Sequence, residues 1–304
     1  MQGMVVLILE ELMKNDTIQR GMMKTYPNWF YIPAVTAFTI FFIIPTISAF
    51  YFSLTRWTIF DSTFIGMENY ISFLSDPMLS IGLKNTFIYA FLTSGLKTVL
   101  ALPLAVMLTS GIRFKGFYRS VVFFPVLVST IAVGITFSIL MQPNIGLINV
   151  VLGSMGLPQP DWLGNPHIAL YSVIFVDVWK GIGIATVIYM AGIISIPQDY
   201  FDAMKLEGGF WIKFRHVIIP LVRNSTFTVI LLSFIGGLRS FDLIWAMTGG
   251  GPGFASDVLT SVIYKQYQAG FYGLSTAGNV ILFVMVTILI FPLRRFFNSR
   301  EIEL

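Results

Sequence analysis

The stretch Asp199-Tyr-Phe-Asp-Ala-Met-Lys-Leu-Glu-Gly-Gly-Phe-Trp-Ile-Lys-Phe-Arg-His-Val-Ile-Ile-Pro220 decides how this chain is read. It is the longest polar passage between two strongly apolar segments, and it carries Lys205, Lys213 and Arg215, with Arg223 close behind. Ser195 followed by Gln198 fits a capping box, with Pro197 in the first turn that box would open. Ala203, Met204 and Leu206 favour helix, and the Gly208-Gly209 pair ends it. The expectation is a helix of about three turns, a sharp turn, and a second helical run into Pro220. A short helix held between two apolar segments is a surface on which a soluble partner can push.

The composition around that stretch is that of a membrane protein. Of the residues, 56% are hydrophobic and 11% charged, against about 25% charged in soluble domains. The absence of cysteine excludes disulfides and Cys-ligated metal sites. The net charge of +4 does not point to nucleic acid, because the basic residues form no single patch. They recur in the breaks between apolar segments.

Six apolar segments come near the ~20 residues a bilayer requires: 29–52, 87–109, 120–140, 168–195, 226–245 and 277–293. The fold class read here is all-α membrane, with residues 1–28 as a leading segment, a six-helix domain over 29–295 and a tail over 296–304. Residues Val5 to Leu9 form an apolar run too short to span. They fit an amphipathic helix or an extension ahead of a start at Met22 or Met23. No internal repeat or polar linker divides the chain.

Orientation follows from the breaks. One set holds Lys14, Arg20 and Lys24, then Arg113, Lys115 and Arg119, then Lys205, Lys213, Arg215 and Arg223, then Arg294, Arg295 and Arg300, which is thirteen cations. The other set holds Arg56, Lys84, Arg239 and Lys265, which is four. The positive-inside rule then places both termini and the 196–220 loop in the cytoplasm. On the opposite side, Ser256 is a small hydroxyl placed to cap an amphipathic helix over 257–272.

The 199–220 stretch resembles the cytoplasmic coupling loop of binding-protein-dependent ABC transporter permeases of the carbohydrate type. That loop runs Glu-Ala-Ala, three residues, Gly, then a helix reaching Leu-Pro. The matching positions here are Asp202, Ala203, Met204, Gly208, Ile219 and Pro220. Asp202 stands for the first Glu, Met204 for the second Ala, Glu207 for the usual Asp, Gly209 for an Ala and Ile219 for the Leu. Phe241-Asp242 before Thr248-Gly-Gly-Gly-Pro-Gly253, the Glu68-Asn69-Tyr70 loop and the Trp179-Lys180 pair are similar to the same family.

The resemblance implies a permease subunit that binds no cofactor itself and has no catalytic residues. ATP would be bound by two separate ATPase subunits docked on Asp202, Ala203, Met204, Glu207, Gly208 and Pro220. A second permease subunit and an extracytoplasmic solute-binding protein would complete an importer for a sugar or oligosaccharide in a bacterial cell membrane, among lipid and with no nucleic-acid partner. The alternatives from other classes are an autonomous secondary transporter and an integral-membrane enzyme.

Within the segments, Asp177 and Lys180 lie three residues apart, so they share a helix face and can pair. A lone charge there costs about 2.5–3.5 kcal/mol on insertion scales. A structural ion pair and a lining of the substrate path both fit. Tyr171, Trp179 and Trp245 offer aromatic faces for a sugar ring, or serve packing. Asp242 can accept hydroxyl hydrogen bonds, or act at a helix end. Ser94-Gly-Leu-Lys97-Thr98 lacks the spacing of a phosphate loop, and the two histidines, His167 and His216, sit at opposite ends of a span, so no metal site is expected.

Overall fold

The computed structural model describes residues 28–58, 60–207 and 209–298. The expectations for residues 1–27 and for the tail beyond Asn298 fall outside the described residues. Contacts divide the chain into one unit ending at Tyr51 and a second running from Phe52 onward.

The first unit is formed by helix α1 (Trp29–Phe52), as expected from its run of apolar residues. It contains a π stretch at Thr39–Ile43, just ahead of Pro45. Proline has no N–H to donate to the preceding turn, and the helix widens locally to accommodate the loss. The same event recurs in the second unit, where a π stretch at Phe214–Ile218 precedes Pro220.

The second unit opens with a departure from the all-α expectation. Strand β1 (Thr55–Trp57) pairs antiparallel with β2 (Ser62–Phe64), Thr55 facing Phe64. Threonine and aromatic residues suit a pleated surface. The amide of Asn69 holds the hairpin by donating to the carbonyls of Ser53 and Thr55 at 2.9 and 2.8 Å. Glu68 accepts from Arg56 at 2.8 Å, and the hydroxyls of Tyr70 and Ser53 lie 2.6 Å apart. The Glu68-Asn69-Tyr70 motif thus fastens the hairpin to α2 (Glu68–Ser75).

Helix α3 (Pro77–Thr109) is the long axis of this unit. It begins ten residues before the expected 87, because Asp76 caps it by accepting from the Met78 amide at 2.8 Å and Pro77 starts its first turn. The expected continuous span 120–140 is instead two helices, α4 (Lys115–Leu127) and α5 (Thr130–Leu140), bent by 97°. Pro125 withdraws one hydrogen bond from the last turn of α4, and Val128 is extended. A short α6 (Leu147–Ser154) follows, locked to its loop by Asn149, which donates to the carbonyls of Pro143 and Pro160 and accepts from the Trp162 indole.

Helix α7 (Ala169–Ile194) matches expectation to within a residue at each end. Next come α8 (Gln198–Glu207) and α9 (Phe210–Leu221). Helix α10 (Arg223–Leu238) meets α9 at 67°. The expected span 226–245 is cut at Arg239–Phe241, and the chain resumes as α11 (Asp242–Thr248). The unit closes with α12 (Leu259–Gln268) and α13 (Tyr272–Asn298). Counting each bent pair as one, up to six segments are long and apolar enough to cross a membrane.

The core runs along the α3–α7 contact. At one end, Ala101, Ala105 and Leu108 of α3 pack with Ala185, Tyr189 and Ile193 of α7 and with Val217 and Ile218 of α9. At the other, Tyr89 packs with Val173, Ile174 and Val176 of α7 and with Leu243 and Ile244 of α11. Small residues let the helices approach closely. A Cβ on Gly237 of α10 would stand 2.6 Å from the Ala90 Cα of α3, and one on Gly134 of α5 would stand 2.5 Å from the Ala246 Cβ of α11.

The 248–257 loop is anchored to α3 rather than free. Asn85 donates to the carbonyls of Ala255 and Asp257, and Thr86 accepts from the Leu259 amide. The Asp257 carboxylate is fully buried and receives Lys265 at 2.7 Å and Ser261 at 2.7 Å. Gly250 has positive φ and lies so close to this carboxylate that no side chain fits there. Ser256 does not cap α12: its hydroxyl bonds to Gly251 O and Thr248, and the Ser261 hydroxyl takes up the Val258 amide instead.

Candidate functional site

Two places on this scaffold carry the polar groups singled out in the sequence. The first is α8. Ser195 does not cap it. Its hydroxyl turns back to the Gly192 carbonyl at 2.8 Å, closing α7 instead. The helix starts at Gln198, with Asp199 in its first turn complementing the dipole. Gln198 donates to Asp202 across one turn at 3.3 Å, and Asp202 is exposed. Ala203, Met204 and Glu207 lie on this helix, but their side chains and the whole of Gly208 lie outside the described residues.

Among the described side chains of α8, Phe201 is the one that packs on the core. Phe201 packs on the cluster formed by α3, α7 and α9, and the Lys213 ammonium sits 4.4 Å from its ring centroid. Beneath α8 lies a cavity of about 430 Å³, lined among others by Thr109, Ile193, Phe201, Phe210 and Lys213. Among the described side chains, Phe201 is thus the contact that joins α8 to α3 and α7, and the cavity lies beside it. Pro220 sits in α9 two residues beyond the end of its π stretch at Ile218.

The second place is the middle of the α3–α7 contact. Asp177 does not pair with Lys180. Its carboxylate accepts from Lys97 of α3 at 2.6 Å, with both side chains largely buried. Spacing on one helix favoured Lys180, but Gly181 leaves the room that Lys97 occupies: a Cβ there would stand 2.7 Å from both Cε and Nζ. Lys180 is half-buried and makes no ion pair among the described residues. The Tyr89 hydroxyl is buried and has no hydrogen-bond partner among the described residues. Ser240 lies in the break between α10 and α11, where its carbonyl accepts from Thr260.

The aromatic candidates are not brought together. Trp179 pairs with Phe137 of α5 at 5.1 Å between centroids. Trp245 stacks on Phe241 at 5.6 Å and meets Tyr264 edge-on at 4.9 Å. Tyr171 is exposed and has no ring neighbour among the described contacts. Asp242 is exposed in the first turn of α11. Sequence reasoning missed Lys97 as the partner of Asp177 and missed Tyr89. The signal for Lys97 was present, since a lysine inside an apolar segment demands a counter-charge.

The sequence family described as "binding-protein-dependent transport system inner membrane component" matches residues 78–302. The chain belongs to that family. The permease is 31% identical to the trehalose/maltose transport system permease protein MalF of Thermococcus litoralis, over 84% of this chain and 88% of that one. It is 31% identical to the sn-glycerol-3-phosphate transport system permease protein UgpA of Agrobacterium fabrum, over 91% of this chain and 96% of that one. Its fold matches the bacterial ABC transporter involved in import of the acidic polysaccharide alginate, with a TM-score of 0.78 at 20% identity, covering 97% of the permease and 99% of that chain.

Proposed function

We propose that the permease carries a sugar or oligosaccharide inward across a bacterial cell membrane as one half of a paired channel. A second permease subunit forms the other half. Six spans cross the membrane, with both termini and α8 in the cytoplasm, an orientation supported by the thirteen-to-four division of cations. One of two ATPase subunits grips α8, and an extracytoplasmic solute-binding protein delivers the substrate. The chain contributes no chemistry of its own. Family membership favours this reading over a self-powered transporter or a membrane enzyme.

The single observation that carries the reading is the attachment of α8 to the α3–α7–α9 core through Phe201. Closure of the ATPases displaces α8, and the core passes that displacement to α7 and to Asp177 near the path. Binding energy that differs between two arrangements of the spans is what shifts the population from one to the other. In this reading Asp177 and Lys180 meet sugar hydroxyls, with Trp179, Trp245, Tyr171 and Asp242 at further positions along the path.

The test is retention of the ATPase. Gly208→Arg and Asp202→Ala are expected to lower ATPase co-purification and transport together, while the chain still inserts at its normal level. Undiminished ATPase binding and uptake in both variants would overturn the lever.

A further inference from the structure

Six aromatic rings drawn from four separate segments of the second unit touch in series. Trp57 of β1 lies 5.6 Å from Tyr272 of α13, and Tyr272 lies 5.2 Å from Tyr267 of α12. Tyr267 stacks at 6.5 Å on Tyr264, which meets Trp245 at 4.9 Å and Phe241 at 5.1 Å. The row ends beside Asp242, which shares a helix face with Trp245 by their three-residue spacing. Tyr267 keeps 56% of its surface open, and the other five are part-exposed.

We infer that this row is an entry subsite for neutral oligosaccharide, separate from the Asp177 region and upstream of it. The inference rests on the proposed function, because it takes the substrate to be a sugar and this end of the unit to face outward. A pyranose has an apolar C–H face and a polar rim. An extended platform of part-exposed rings suits the first, and tyrosine hydroxyls with a carboxylate at one end suit the second. Aromatic residues that anchor a span at the membrane interface form a belt at headgroup level. Here the rings touch one another across a hairpin, a helix break and two further helices, and close as a Tyr264–Trp245–Phe241 triangle at the break at Arg239–Phe241.

On α13 the same exposed side continues below Tyr272 with Thr276 and Asn279, at spacings of four and seven. The Asn279 amide makes one long bond, 3.3 Å to the Ser275 carbonyl. Hydrocarbon disfavours an exposed amide, so this side faces polar surroundings, which agrees with a hydrated path leading away from the ring row.

The test uses the importer assembled with its ATPase and solute-binding subunits in proteoliposomes, with maltotriose, cellotriose and xylotriose as probes. For whichever trisaccharide the wild type imports, Tyr264→Ala and Tyr267→Ala are expected to raise the apparent KM about three- to tenfold, with saturated turnover changed less than twofold. Tyr264→Phe and Tyr267→Phe should stay within about twofold of the wild type in KM. The corresponding monosaccharide, which spans fewer rings, should be affected less. Should Tyr264→Ala misfold, Tyr267→Ala alone decides, because that side chain is the more exposed. An unchanged KM in the Ala variants, or turnover falling with KM intact, overturns the ring row while leaving the importer reading standing. A wild type that imports none of the probes and no monosaccharide overturns both.

Discussion

The Lys97 ammonium of α3 reaches the Asp177 carboxylate of α7 at 2.6 Å, and it does so through the gap left by Gly181. The pair joins two helices that are each long and apolar enough to cross a membrane, a setting in which an unpaired charge is costly. Removing one partner leaves the other charged and desolvated. Lys97→Met and Asp177→Leu are each expected to cost about 3–5 kcal/mol, whereas the double variant should recover most of that loss. Thermal unfolding of the detergent-solubilised protein measures this, and additive losses in the double variant would contradict the pairing.

Gly181 and the helix it belongs to give a second expectation. A Cβ at this position meets the flexible end of Lys97, not backbone. Gly181→Ala should therefore be mild in stability, while Gly181→Val should displace the ammonium and reproduce much of the Lys97→Met loss. Comparing the two variants with Lys97→Met in the same unfolding assay checks the order.

Adjacent glycines in α10 supply a matched pair. A side chain on Gly237 meets the Ala90 backbone of α3 at 2.6 Å, whereas one on Gly236 meets nothing within 4 Å. Gly237→Leu is expected to destabilise by about 1–3 kcal/mol or more through overpacking, and Gly236→Leu by far less. Equal melting temperatures for the two would show that α3 and α10 do not pack at this distance.

The buried Asp257 gives a fourth expectation. Lys265→Met would strand a carboxylate with no surface exposure, left with Ser261 as its side-chain partner among the described residues. A loss of about 3–5 kcal/mol is expected, larger than for Lys265→Met combined with Asp257→Asn. Limited proteolysis of the 248–257 loop reads the effect locally, with faster cleavage in the single variant.

Much of this architecture was legible in apolar run length alone, as α1 and α7 show. Breaks inside runs were not. Pro125 was visible, but hydropathy treats residues 120–140 as one stretch, and nothing in composition says that Val128 turns the chain through 97°. The start of α3 was legible but underread: Asp76-Pro77 is a cap followed by a first-turn proline, while Lys84 and Asn85 lowered the apolar signal there. The Asn85 and Lys97 partners lie far away in sequence, at Ala255, Asp257 and Asp177, and only the fold brings such groups together. Local spacing favoured Lys180 over Lys97 for that reason. The substitution of Met204 for the family's second Ala stays a property of the sequence, since that side chain lies outside the described residues.

The hydrogen bond from Asn85 to the Asp257 carbonyl spans 172 positions of chain. A ribosome adding about 5–20 residues per second takes roughly 10–30 s to travel that far. Throughout that interval a polar amide and a threonine hydroxyl, made when little more than a quarter of the chain exists, wait for acceptors and donors that have not yet been made. This end of the molecule is therefore sealed late, after nearly everything between the two has been synthesised, and a chain truncated before residue 257 would keep it open for good.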